Sequence, residues 1–260
     1  MERALWSAVS GMKAQELSLD TIANNLANVN TSGFKASKIN FQDMLYSVLT
    51  TPGATSGETE IPNGVQIGLG TRVAEVARHF KQGALKETGR DLDVAIEGDG
   101  FFEITLPDGT AAYTRDGSFR RTATGEVVSV DGFQVSGFDT IDEGTTEITI
   151  ASDGSFTTVV NGVLTPKTPV TLSRFANPEG LRSIGRNLFK PTDSSGPAQT
   201  GLAPGETGMG SLAHRYVEQS SVSVAEELVN MITTQRAYEA NSKAIKASDE
   251  MLEVANGLRR

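Results

Sequence analysis

The 260-residue chain has no cysteine. A disulfide framework, a thiolate nucleophile and a thiolate metal site are therefore excluded. Histidine is nearly absent: His79 and His214 stand far apart, and each reads as a surface or core residue rather than a base or ligand. No apolar run approaches the roughly 20 residues that a membrane-spanning helix needs. The opening stretch MERALWSAVSGMK is interrupted by Lys13 and offers no apolar run with a small-residue cleavage site, so no cleavable leader is readable. If such a chain leaves the cytoplasm, its export route is expected to read something else.

A surplus of positive charge is also missing. Net charge is −9; residues 1–35 are neutral, residues 215–260 carry −1, and the middle therefore holds −8. That distribution excludes a basic nucleic-acid footprint and a polybasic membrane patch. Catalytic signatures are lacking too, with no HExxH, GxSxG, Walker loop or Rossmann fingerprint. Ser10–Lys13 and Ser32–Lys35 match SxxK without the SDN and KTG partners that would give it meaning. Asp91, Asp93 and Asp99 lack the spacing and final Glu of a calcium loop and read as a solvated turn region. The expectation is a protein with no enzymatic activity, cofactor, metal or small-molecule substrate.

What is present is a change of periodicity along the chain. Leu5, Val9, Met12, Glu16, Leu19, Ala23, Leu26 and Asn30 step by four and three, a heptad stripe with polar interruptions. A second such stripe runs through Val217, Ser221, Val224, Leu228, Met231, Gln235, Tyr238, Ser242, Ile245, Asp249, Leu252 and Asn256, with a helix expected from Val224 onward. Ser223 with Glu226 is a capping-box start, and Asn256-Gly257 a stop. Thr31-Ser32-Gly33 is expected to stop the first helix. Between the stripes, Asp-Gly recurs at 99–100, 108–109, 116–117, 131–132 and 153–154, and Asn-Gly at 63–64 and 161–162. These dipeptides favour hairpin turns. They separate β-rich runs at 101–106, 126–130, 133–138, 146–150, 155–160 and 170–175.

The fold expected is α+β: terminal helices pairing as a coiled-coil inner domain, with a mainly antiparallel β domain inserted between them. The expected boundaries are 1–36 for the first helix, 37–74 for a connecting segment, 75–210 for the β domain and 211–260 for the second helix. Over stretches this short, a heptad stripe and an ordinary amphipathic one are hard to separate. Two helices packed on the β core therefore stay open as the other reading. The stripes offer too little apolar surface to offset the entropy of ordering both ends. The ends are therefore expected to be loose in the monomer and to order on assembly.

The run ANNLANVNTSGFK at 23–35 is unusual, because buried amides cost free energy unless they are hydrogen-bonded. Asn24, Asn25, Asn28 and Asn30 suit an interface that several helices must enter in one alignment. For Asn25, an interface role and a solvent-facing one stay equally open.

SLDTIANNLANVNTSGFK (18–35) resembles the N-terminal signature of the bacterial flagellar axial proteins, the rod and hook subunits. SSVSVAEELVNMITTQRAYEANSKAIKASDEML (220–252) resembles their C-terminal segment, and RDLDVAIEGDGFFEITLPDGTAAYTRDGSF (90–119) is similar to their core. The stretch 41–73 resembles the rod type, with the distal rod nearest and proximal rod or hook subunits the alternative. The resemblance implies helices lining a hollow helical homopolymer that conveys torque and leaves an export channel. It implies as partners the chain itself, proximal rod and hook subunits, peptidoglycan and outer-membrane bushing rings, a rod cap and the flagellar type III export apparatus. The implied location is the basal body, where the rod crosses the periplasm. Candidate assembly residues are Leu5, Val9, Met12, Leu19, Ile22, Leu26, Asn24 and Asn28 on the first helix. On the second they are Leu228, Met231, Tyr238, Ile245 and Leu252. Two other classes remain as alternatives: a surface binding module closed into a small coiled-coil oligomer, and a cell-wall hydrolase on the β domain.

Overall fold

The structure is a computed structural model that describes residues 2–50, 55–56, 59–60, 63–206 and 208–257. Helix α1 spans Glu2–Ala27 and helix α2 spans Val224–Gly257. Among the described residues every other regular element between them is a strand, apart from one 3-10 turn at Pro178–Gly180. Helix α1 stops earlier than the Thr31-Ser32-Gly33 signal suggests. The Thr31 amide donates to the Asn28 carbonyl at 3.1 Å and its hydroxyl meets Asn28 Oδ1 at 3.2 Å, which folds 28–31 into a turn. Helix α2 begins directly after Ser223, where the capping signature places it.

The chain forms two units. One comprises Met1–Leu26, Ser37–Ala77 and Ser223–Arg260. Its strands are β1 (Ser37–Asp43), β2 (Tyr46–Thr50), β3 (Thr55–Ser56), β4 (Thr59–Glu60), β5 (Val65–Gly68) and β6 (Thr71–Arg78). They pair β1 with β6, β2 with β5 and β3 with β4, a nested ribbon that doubles back on itself. The expected Gly/Pro-rich connection at 50–70 lies on this ribbon, and its residues 51–54, 57–58 and 61–62 are outside the described residues.

The other unit comprises Ala27–Ala36 and Arg78–Val222. It carries β7 (Leu85–Glu87), β8 (Val94–Glu97), β9 (Phe102–Thr105) and β10 (Ala111–Thr114). A seven-stranded sheet runs in the order 120–121, 127–128, 134–135, β9, β10, 188–190, 182–185. Thr145–Ile150, Phe156–Val160 and Val163–Pro166 form a three-stranded antiparallel sheet. Its second turn is Asn161-Gly162, with both residues at positive φ (50° and 78°), the conformation a two-residue hairpin turn requires. Each β-rich run read from the sequence contains an observed strand.

Alternation along the strands builds the core of this unit. Val94, Ile96, Phe102, Ile104, Phe119, Phe156, Val170 and Leu172 are fully or almost fully buried in one cluster. A second cluster is aromatic: Phe101 meets Phe175 edge-on at 5.5 Å, and Tyr113 meets Phe175 at 4.8 Å. The last strands of the unit, Ser211–His214 and Tyr216–Glu218, pair antiparallel with β8 and β7. The two stretches of chain that lead to the helices are stitched within this unit. The Gly33 amide donates to the Glu218 carbonyl at 2.8 Å, and the Ser221 amide to the Phe34 carbonyl at 3.1 Å.

Candidate assembly interface

Within the helical unit, α1 and α2 approach each other at two described points. Asn25 Nδ2 donates to Glu227 Oε1 at 2.9 Å. Gly11 lies so near Asn241 that a Cβ added to it would stand 2.8 Å from Asn241 Nδ2. The earlier residue on one helix meets the later on the other, so the helices run antiparallel. Asn25 is 2% exposed and does more than touch α2. Its amide brackets Ser37, with Nδ2 donating to the Ser37 carbonyl at 2.8 Å and Oδ1 accepting from the Ser37 amide at 2.9 Å. The amide thus behaves like an extra strand residue at the start of β1, and every polar group it buries is satisfied.

The candidate residues are placed unevenly. Ile22 is buried. Leu5, Val9, Met12, Leu19, Leu26, Asn28, Met231, Ile245 and Leu252 are half-buried, while Asn24 is exposed. Leu228 is 45% exposed and Tyr238 37%. The most buried positions of α1 are Ala8, Ala14, Ile22 and Asn25, and those of α2 are Thr234 and Ser248. All but Ile22 are small or polar. The inward face of α1 therefore falls largely one residue before the stripe of large apolar residues. Asn25 is the position that sequence reasoning left open, and its signal was its place three residues after Ile22. Ala14 has company nearby: Ser10 Oγ donates to the Ser7 carbonyl at 2.8 Å and accepts from the Thr71 amide at 3.2 Å, fixing the start of β6 on α1.

Large apolar side chains are correspondingly left in solvent. Trp6, Val229, Ile232 and Val254 are exposed on the helices, and Leu45, Tyr46, Val48, Leu49, Val65 and Ile67 on the β2/β5 ribbon. Such patches on a lone chain mark surfaces that another molecule covers.

In the β unit, Lys35, Arg115 and Glu218 form a buried charged cluster. Lys35 Nζ meets Glu218 Oε1 at 2.6 Å and donates to the Lys81 carbonyl at 2.9 Å. The Gly83 amide donates to the same Oε1 at 2.9 Å. Burial, with Arg115 as a further cause, pulls the Lys35 ammonium down to about 8, while Glu218 works against that shift. Burial also lowers the Arg115 guanidinium. Sequence reasoning missed the cluster, because residues 35, 115 and 218 share no motif. No His or carboxylate group among the described residues is arranged to hold a metal ion, and no described helix is long and apolar enough to cross a membrane.

Three family profiles match the chain. "Flagella basal body rod protein" matches 5–35, "Flagellar hook protein FlgE/F/G D1 domain" 95–158, and "Flagellar basal body rod FlgEFG protein C-terminal" 213–258. Together they define the class, an axial subunit of the bacterial flagellum. The chain is 48% identical to the flagellar basal-body rod protein FlgG of Borreliella burgdorferi, over 100% of both chains. It is 46% identical to FlgG of Buchnera aphidicola subsp. Acyrthosiphon pisum, over 96% of this chain and 97% of that one. The crystal structure of the Helicobacter pylori hook protein FlgE2 aligns at 15% identity with a TM-score of 0.23, covering 71% of this chain and 43% of that one, too weak a likeness to bear on the fold. The chain belongs to the FlgG family of flagellar basal-body rod proteins. It is a structural subunit of the rod, of the distal type, and not an enzyme.

Proposed function

We propose that this subunit polymerises into the distal rod as a hollow helical shaft, with α1 and α2 paired as a heptad coil whose outer faces are covered by neighbouring copies. The observation that carries this reading is the division of side chains on the helices. Among the described helix residues the most buried are mostly small or polar, while Trp6, Leu228, Val229, Ile232 and Val254 are exposed. A pair built that way gains little from itself and much from neighbours. A head-to-tail interface that does not close produces a filament rather than a ring. Proximal rod and hook subunits would continue the same packing at either end. The bushing rings of the cell wall and outer membrane, the rod cap and the type III export apparatus complete the partners, with the shaft crossing the periplasm. Rigidity comes from many intersubunit contacts, and the β2/β5 ribbon is the candidate stiffener.

Leu228→Asp tests the reading. The side chain is 45% exposed, so the change leaves the β unit folded while placing a charge in the intersubunit surface. Electron microscopy of concentrated protein should show tubes for the unaltered chain and none for the variant. Normal tubes from the variant would remove the helix-packing claim. A fixed small oligomer from the unaltered chain would favour a closed binding module instead.

A further inference from the structure

The two described approaches between the helices share an arithmetic. Gly11 faces Asn241 and Asn25 reaches Glu227, so fourteen residues separate the contacts on each helix. Fourteen residues are two heptads, and an antiparallel pair in one fixed register must behave this way. The same register sets Ser18 opposite Thr234 and Ala4 opposite Ser248. Thr234 and Ser248 are the most buried of the described residues of α2, while on α1 Ser18 is half-buried and Ala4 exposed.

A heptad pair has a weakness. Sliding one helix by seven residues restores the match of apolar and polar positions, so the stripe alone does not choose among registers. Ile22, Met231 and Ile245 would find acceptable neighbours after such a slip. The features that would not are Gly11 and Asn25. After a slip by one heptad, Gly11 faces Ser248 and Asn25 faces Thr234. Asn25 then loses the carboxylate that accepts from its Nδ2, while its bonds to Ser37 keep it buried in place. Asn241 then faces Ser18 in place of Gly11 and its side chain has to shift to make room, since a Cβ at position 11 would already stand 2.8 Å from its Nδ2.

We propose that Asn25 and Gly11 are the register-setting residues of the α1/α2 pair, Asn25 by a directed hydrogen bond to Glu227 and Gly11 by admitting Asn241. Asn25 also bonds the first residue of β1, so the same side chain fixes α1 against α2 and the ribbon against α1. The inference deepens the rod reading by separating the residues that align a subunit with itself from those left for its neighbours. It concerns the lone chain and does not need the polymer.

The absence of cysteine makes the test clean. Ala4→Cys with Ser248→Cys reports the proposed register, and Ala4→Cys with Ala255→Cys reports a slip of seven residues. Mild oxidation of the purified full chain, read on non-reducing gels, separates bonds within one chain from bonds between chains. In the otherwise unaltered chain the first pair should close and the second should not. Asn25→Leu should move the ratio of the two toward the slipped pair by about tenfold or more. Glu227→Gln, which keeps the carbonyl acceptor, should leave it unchanged. Gly11→Ala should also shift the ratio, and Gly11→Ala combined with Asn241→Ala should restore it. A ratio that stays fixed in Asn25→Leu overturns the proposal. So does an equal fall of both bonds that Asn241→Ala does not rescue in Gly11→Ala, since that is the mark of simple loss of helix. Neither result bears on whether the chain polymerises.

Discussion

Lys35 and Glu218 are 183 residues apart in sequence and 2.6 Å apart in the β unit, with no accessible side-chain surface on either. The other carboxylate oxygen of Glu218 lies 3.4 Å from Arg115 Nε. Neither of those two atoms makes a hydrogen bond, so that approach acts through charge alone. The guanidinium is anchored instead by donating to the Gly100 and Gly98 carbonyls at 2.9 and 2.7 Å. One carboxylate thus faces two buried cations, with Asp99 adding a second negative charge that acts on Arg115. Glu218 sits on the last strand of the unit, while Lys35 sits on the segment before β1. The β unit is closed by the meeting of its first and last residues.

Glu218→Gln should therefore be far more damaging than its near-identical shape suggests. It leaves Lys35 buried without its counter-charge and Arg115 with Asp99 alone, which costs about 3–5 kcal/mol. Adding Lys35→Met removes the stranded ammonium and should recover part of that loss. Denaturant unfolding of the full chain, followed by near-ultraviolet signals from the aromatic cluster, measures both. A loss below about 1 kcal/mol in the single variant would mean that water or a rearranged side chain replaces the carboxylate.

The same cluster gives the unit a two-sided response to pH. The Lys35 ammonium titrates at about 8 in the folded unit against 10.5 in the unfolded chain. Between those values the unfolded chain binds more protons, so stability rises with pH. Tyr113 has the opposite sign. Burial, with the nearby Glu103 charge, pushes its phenol up to about 12 from 10.0, so above pH 10.0 the folded state holds the extra proton and stability falls. Unfolding free energy should rise from about pH 8, then turn over above about pH 10. Lys35→Met should flatten the rising limb and Tyr113→Phe the falling one. A curve that declines steadily from pH 8 would contradict the Lys35 assignment.

The legible parts of the fold are those with local causes. Asp-Gly and Asn-Gly mark turns by backbone chemistry, and each β-rich run between them holds a strand. The strands at 211–214 and 216–218 are not legible, because the residue between them is Arg215, held at φ 66° without a glycine. Its guanidinium ties it to Asp91 at 2.7 Å, a tertiary cause no dipeptide reveals. The helices are legible from their stripes, but the face that turns inward is not. A stripe scan rewards Leu and Met, whereas close approach of two helices rewards Gly11, Ala8 and Ala14, and a buried amide such as Asn25 scores against burial. Lys35, Arg115 and Glu218 read in the sequence as ordinary surface charges, since nothing local indicates that they meet.

The ribbon between β1 and β6 yields a mechanical prediction. Leu45 is 84% exposed and Leu49 56%, an apolar edge that a lone chain has no reason to display. Deleting most of 50–66 should leave both units folded, because no buried core residue lies in that stretch among the described residues. It should make the assembled rods bend. Electron micrographs give the persistence length directly. Rods that stay straight, with unchanged flexural rigidity, would show that the ribbon does not stiffen the shaft.

The terminal helices provide the prediction that reaches furthest into assembly. Within α1 and α2 the buried positions are few, and most are small or polar. Helices of 26 and 34 residues held by such a surface recover little of the entropy that ordering them costs. Their hydrogen bonds are therefore expected to open readily in the free subunit, while those of the β unit, closed around Phe102 and Phe156, open only on global unfolding. Amide hydrogen exchange on the purified monomer should show fast exchange in 2–27 and 224–257 and slow exchange in the sheet strands. The same chain in the polymer should show the ends protected by several orders of magnitude, because opening a helix there also exposes its neighbours' apolar faces. Ends already protected in the monomer would mean a self-sufficient helical pair. The exposed residues on α2 would then have no role in ordering it, and weight would move from the open shaft toward a closed oligomer.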